Sequence, residues 1–342
     1  RCYRAKATEN YILSSRTGIE FVDLKTGEWT INHWIRGACL YGIMPCNGLI
    51  YSPPEPCACY PEAKINGFSA VTATAPLDGF DVADIPEDVR LMRGPAYGRI
   101  ETIVAGDSDW PTYRGDVARS GGTDAIDVTP TQFEQTWKID LDGAKLTQPI
   151  AVGDRVYIAD VERCLVYAID ATSGEVVWEY NAGGRVDSVP TYFQGSLIFG
   201  AADGCVYSVR ASDGVLAWRY MAAPRDRRIV AYEGIESLWP VHGAALVDEQ
   251  AEGKGVVTAV AGRSMFLDGG LQLVRLDAAT GRLLSRNVMD NVDPETGDDL
   301  QMRMKGLNMP VALPDILSTD GENLYMRSQV MTLEGERTHF GP

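Results

Sequence analysis

The 342-residue chain is informative first through what it lacks. Its apolar runs are short, such as GVVTAVAG (Gly255–Gly262), against the roughly 20 residues a membrane-crossing helix needs, so no transmembrane segment is expected. Basic charge is scarce: 31 Lys and Arg stand against 47 Asp and Glu, a net −16 that repels phosphate backbones and argues against nucleic-acid partners. The nearest basic cluster, Arg225, Arg227 and Arg228, is interrupted by Asp226 and reads as a solvated loop. Gly-x-Ser-x-Gly, a Walker-type glycine loop and Cys-x-x-Cys-His are all absent, which leaves nucleophilic hydrolysis, phosphate cradling and covalent haem without support. The acidic stretch Asp290–Asp299 lacks the order of an EF-hand loop and is expected to be solvated; no metal ligand is assigned. Without an initiator Met or a leader, the chain reads as a piece of a longer one.

Apolar residues make up 45% of the chain, enough for a sizeable core. Thirty-five glycines and 18 prolines exceed what a helical bundle tolerates and favour a turn-rich, all-β fold. Five of the seven cysteines, Cys2, Cys39, Cys46, Cys57 and Cys59, fall in the first 59 residues. Structural disulfides, unpaired thiols and a thiolate metal site are all open for them, with disulfides weighted first. Cys164 and Cys205 read as small buried hydrophobes.

The chain repeats itself. VYAIDATSGEVVWEY (Val166–Tyr180) aligns without a gap on VYSVRASDGVLAWRY (Val206–Tyr220), placing Tyr167 on Tyr207, Gly174 on Gly214 and Trp178 on Trp218. Trp137 precedes Trp178 by nearly the same interval, Leu273–Arg286 is a third copy with Gly281 in the glycine slot, and Phe21–Trp29 is a fainter fourth. Each copy reads as a strand with one face inward, an Asp-x-x-x-Gly turn, and a second strand. Asp203-Gly204 marks a further hairpin in front of one pair. Four short strands per roughly 40 residues is the blade of a β-propeller, with tryptophan packing blade on blade. About six blades are expected, the last incomplete: two Cys-rich ones in residues 1–75, then a linker or insertion over 76–126 with a short helix near Pro86, then blades over 127–342.

The run Ala168-x-Asp170-x-x-x-Gly174-x-x-x-Trp178 resembles the tryptophan-docking motif of pyrroloquinoline-quinone-type propellers, and Asp109–Asp116 (DWPTYRGD) resembles the opening of such propellers in exported proteins. That family contains quinoprotein alcohol dehydrogenases and propeller lipoproteins of outer-membrane assembly. The resemblance covers residues 109–330, and more faintly 10–75. It implies a periplasmic or cell-surface location, and either a non-catalytic scaffold for a protein or glycan partner or an oxidoreductase using pyrroloquinoline quinone and Ca²⁺. Three features depart from it: Arg210 replaces the Asp of the second copy, Ser285 replaces the Trp of the third, and no adjacent Cys-Cys pair exists.

Propeller sites gather on loops entering the innermost strands. Here those are Trp34–Pro45, Gly183–Pro190, Gly234–Gly243 and Ala261–Gly270, which offer Arg36, Arg185, Asp187, Glu236, Trp239, His242, Arg263 and Asp268. Arginines among carboxylates suit an anionic quinone or a uronate-like sugar, Trp239 a flat ring, and His242 a general base. Each also has a structural reading: Arg185–Asp187 as a loop contact, His242 as a packed histidine, Trp239 as a wedge. His33 is expected to be structural; no catalytic residue is assigned.

Overall fold

The computed structural model describes residues 4–15, 18–54, 59, 65, 67–72, 83–123, 134–250, 253–303 and 312–338. Cys2, Cys57 and His339 lie outside them. The described chain is nearly all β, in antiparallel sheets built from consecutive strands. The first sheet is β1 (Lys6–Ala7), β2 (Tyr11–Ser14), β3 (Ile19–Asp23) and β4 (Trp29–Asn32); the second is β5 (Met44–Cys46), β6 (Leu49–Ser52) and β7 (Ser69–Val71). A single-turn helix α1 (Glu87–Arg90) then leads into β8 (Leu91–Arg93). The third sheet holds β9 (Ile150–Val152), β10 (Arg155–Asp160), β11 (Leu165–Asp170) and β12 (Val176–Asn181). The fourth holds β13 (Thr191–Phe193), β14 (Ser196–Gly200), β15 (Cys205–Arg210) and β16 (Leu216–Met221). A separate hairpin, β17 (Arg228–Ala231) and β18 (Gly234–Ser237), precedes the fifth sheet of β19 (Leu246–Glu249), β20 (Gly255–Ala261), β21 (Leu271–Asp277) and β22 (Leu283–Met289). The last is β23 (Ser318–Thr319), β24 (Asn323–Met326) and β25 (Gln329–Thr332). Among the described residues no helix is long and apolar enough to cross a membrane.

The core lies in slabs between successive sheets. Trp178 and Val166 of the third meet Leu197, Phe199 and Tyr207 of the fourth. Trp218 and Val206 of the fourth meet Val257, Val274 and Leu276 of the fifth, and Leu271 and Leu273 of the fifth meet Leu324 and Met326 of the last. A sheet stacked on both sides buries both faces, so β20 is buried along its whole length and β15 everywhere except Arg210. The expectation of one inward face per strand fails for these central strands for that reason.

Five turns share one hydrogen-bond pattern. The N–H of the first residue donates to the carbonyl five residues on, and the glycine N–H donates back, in Asp23–Gly27, Asp170–Gly174, Arg210–Gly214, Asp277–Gly281 and Asp293–Gly297. The aspartate also accepts from the turn, as Asp170 does from Thr172 N–H at 3.0 Å and Ser173 N–H at 2.9 Å. Where Arg210 replaces it, Asp213 supplies the carboxylate, accepting from Arg210 Nε at 2.9 Å and from Val215 N–H at 3.2 Å. Within Asp290–Asp299, residues 294–298 are exposed as the solvated-loop expectation has it, but Asp293 is buried and ion-paired with Arg303.

Three tryptophans lock these turns from the preceding repeat. The indole N–H of Trp137, Trp178 and Trp218 donates to the carbonyls of Ala171, Ala211 and Ala278 at 2.8, 3.0 and 3.0 Å, each carbonyl one residue into a turn. The rings lie so close to Gly174, Gly214 and Gly281 that a Cβ would sit 2.7, 2.6 and 2.6 Å from them. Ser285 leaves the fourth such contact without an indole; there Asn287 donates to the Glu334 carbonyl at 2.7 Å instead.

Residues 83–120 lie against the sheets rather than passing between them. β8 adds to β16 as a fifth strand, and Arg90 donates to the carbonyls of Met221, Ala223 and Pro224 at 2.9, 2.7 and 3.2 Å. Further on, Trp110 exchanges backbone bonds with Ala151, Tyr192 N–H donates to Pro111, and Thr319 N–H donates to Val117. The DWPTYRGD stretch thus crosses from β9 past β13 to β23. Buried Arg119 holds it there, donating to the Leu317 carbonyl at 3.0 Å and Thr112 Oγ1 at 2.6 Å.

Candidate functional site

The loop over Gly183–Pro190 leaves β12 for β13, Gly234–Gly243 leads from β18 toward β19, and Ala261–Gly270 joins β20 to β21 within the fifth sheet. Their charged residues meet around Glu236 at the end of β18, which is 3% exposed. Its two oxygens accept from Arg185 Nε and Arg263 Nη2, both at 2.9 Å. Arg185 also lies 3.5 Å from Asp187, whose carboxylate meets His242 Nδ1 at 2.6 Å. One chain of contacts therefore runs His242, Asp187, Arg185, Glu236, Arg263 and staples three loops together. Burial works against the charged form of Asp187, but the His242 hydrogen bond and the nearby Arg185 outweigh it and hold the carboxyl below its ordinary range.

Trp239 and Asp268 adjoin this chain. The Trp239 indole donates to the Asp268 carbonyl at 3.1 Å, so the tryptophan is buried as a wedge rather than offered as a stacking platform. Burial pushes the Asp268 carboxyl up, and Arg227 and Arg263 offset this only in part. Seven of the eight residues expected from the loops are thus brought together. Arg36 is not: it is buried among the N-terminal sheets, with its Nη2 3.8 Å from Cys39 Sγ and its carbonyl accepting from Ser52 Oγ at 2.6 Å. Its loop meets the Ala261–Gly270 loop instead, where Trp34 stacks on Phe266 at 6.2 Å, and His33 N–H donates to Gln301 Oε1 at 2.7 Å. Burial lowers the affinity of His33 for a proton, consistent with a structural histidine.

One member of the cluster was not legible in advance. Tyr232, at the hairpin tip, lies under the Arg185 guanidinium at 4.2 Å, a cation–π contact that completes the surroundings of that arginine. Its only sequence signal is the Tyr232-Glu233-Gly234 turn inside the insertion that lengthens this repeat. Cys164 has a left-handed backbone (φ 59°) and is half-buried rather than packed in a strand; burial raises its thiol pKa, and Arg185 partly counters that. Cys205 is fully buried, as expected, and Cys46 is an exposed free thiol.

The quinone and calcium that the sequence resemblance implies would meet loop residues already in mutual contact. An anionic quinone needs guanidinium donors; both loop arginines are engaged by Glu236, and Arg185 Nη2 and Arg263 Nε make no hydrogen bond. Calcium needs six to eight oxygens, and among the described residues no group of three or more His, Cys, Asp or Glu could hold a metal ion.

No family model and no curated protein matches the chain. Among solved structures it is similar to the quinohemoprotein alcohol dehydrogenase from Comamonas testosteroni (18% identity, TM-score 0.41, covering 67% of this chain and 36% of that one). It is also similar to a europium-containing methanol dehydrogenase (16%, 0.45, 69% and 45%) and to BamB from Moraxella catarrhalis (15%, 0.28, 58% and 70%). The chain spans between about a third and a half of the length of the two dehydrogenases.

Proposed function

We propose that the chain is part of a β-propeller whose four-stranded blades form a non-catalytic binding or scaffold module for a protein partner in an extracytoplasmic compartment. The repeated turn, the three indole hydrogen bonds and the face-to-face sheets support the propeller. One observation carries the binding role. The charged loop residues are drawn together on Glu236, while the hairpin beside them exposes Val230 (83%), Tyr232 (67%) and Ile235 (67%). Charge spent internally makes a rigid base. An apolar tip held out on that base suits a partner's surface. A glycan, the other partner class the sequence allows, would ask for available polar groups on this face instead.

The test has two arms. A photo-crosslinking side chain at Val230, in the intact protein in its own cells, should give a discrete adduct that Ile235→Ser abolishes. Calorimetric titration of pyrroloquinoline quinone with Ca²⁺ should give no saturable heat. One-to-one binding there, or no adduct dependent on Ile235, would overturn the proposal.

A further inference from the structure

We propose that the outer edge of β12 is a docking rail for an extended, basic segment of a partner protein, laid antiparallel along it as β8 lies along β16. The proposal rests on the binding-module reading and names a second contact surface for it.

The same chain shows the rail occupied once. In the fourth sheet, β8 pairs with β16 in the register Leu91 to Tyr220, Met92 to Arg219 and Arg93 to Trp218. The chain after β8 continues the pairing: Gly94 N–H donates to the Ala217 carbonyl at 2.7 Å and Ala96 N–H to the Leu216 carbonyl at 2.9 Å. Ala96 and Ala217 lie in one buried cluster. The fourth sheet therefore gains a fifth strand along this edge.

β12 is the same strand one repeat earlier. Trp178, Glu179 and Tyr180 stand where Trp218, Arg219 and Tyr220 stand, and Val176 and Val177 take the places of Leu216 and Ala217. It is the terminal strand of its sheet, and among the described residues no strand pairs with its outer side. Val176 and Val177 are 41% and 43% exposed, whereas Ala217 beneath the added segment is 1% exposed. The edge of β22 differs, because its side chains are engaged: Arg286 bonds Glu87 and Tyr220, and Asn287 bonds the Glu334 carbonyl.

Charge selects the occupant. β12 turns Glu179 to solvent where β16 carries Arg219, and Glu175 just before β12 is exposed as well. A basic side chain opposite Glu179 is a favourable cross-strand pair. A second copy of this chain, paired edge to edge about Glu179, would set carboxylate against carboxylate and is disfavoured by the same rule. Backbone pairing then supplies affinity, and the alternating side chains supply selectivity.

The probe is a labelled peptide of the sequence Glu87–Gly98 carrying Met92→Lys, titrated into the full chain by fluorescence anisotropy. The lysine favours β12 over the arginine-bearing β16. Saturable one-to-one binding is expected, weakened about fivefold by Glu179→Lys in the chain and recovered on that variant by a Met92→Glu peptide. Glu179 is on the surface, so its variant keeps the fold. Absence of binding, or binding indifferent to Glu179→Lys, overturns the rail. A dimer of the unmodified chain in sedimentation, dissociated by blocking this edge, overturns the choice of occupant. If the peptide fails while Val230 still gives its Ile235-dependent adduct, the rail falls and the binding module stands; the reverse pattern removes the hairpin from the reading.

Discussion

Replacing Gly214 with alanine tests the contact on which the stacking of sheets depends. Gly214 has φ +70°, and its added Cβ would lie 2.6 Å from Trp178 Cε3 and 2.9 Å from Cδ2. The left-handed backbone alone costs an alanine about 1 kcal/mol. The clash adds about 1–3 kcal/mol, because Trp178 is 9% exposed and pinned to the Ala211 carbonyl, so it cannot swing away without leaving that carbonyl unpaired. Equilibrium urea unfolding of the full chain should show a loss of about 2–4 kcal/mol. The decisive measurement is the cycle with Trp178→Leu. Without the indole the clash disappears, so Gly214→Ala should then cost only its backbone strain of about 1 kcal/mol, a coupling of about 1–3 kcal/mol. Gly281→Ala, against fully buried Trp218, should cost at least as much, and Gly174→Ala, against the more exposed Trp137, should cost less. Additive costs, or a Gly214→Ala penalty no larger than backbone strain, would refute the claim that the glycine exists to admit the tryptophan.

Arg119→Met should destabilise the chain by about 2–4 kcal/mol, because it strips donors from the buried Leu317 carbonyl and Thr112; hydrogen exchange should then rise first at Thr319, whose N–H bonds Val117. Asp187 sits below its ordinary range when folded, so its stabilisation is complete above the unfolded carboxylate pKa and is lost as pH falls through the folded one; Asp187→Asn should flatten that acid limb of the stability curve. Asp268 has the opposite sign: its folded pKa is raised, so stability falls as pH climbs from the unfolded to the folded value. Asp268→Asn should therefore stabilise the chain at neutral pH relative to pH 3, as thermal melts at the two pH values would show. A thiol reagent should modify exposed Cys46 within the dead time of a manual assay and leave Cys205 untouched until denaturant is added, because burial both covers that thiol and pushes its pKa well up.

The local chemistry of this protein was written in its sequence. Asp-x-x-x-Gly fixes a turn by hydrogen bonds within a few residues, alternation fixes the strands beside it, and a tryptophan four residues on declares the contact before its target is known. The loops that carry the charged cluster could be named for the same reason. Which charges meet could not. Arg185 and Glu236 are 51 residues apart, and their pairing depends on how one loop leans toward the next, a distance no local pattern encodes. The fate of Arg36, the burial of both faces of β15 and β20, and the seating of β8 on β16 were likewise decided by tertiary packing. The stretch Ile85–Met92 reads in the sequence as a short helix. Its end, Leu91–Arg93, becomes β8 because an unpaired row of N–H and C=O groups on β16 lies within its reach and lowers the free energy of an extended chain there.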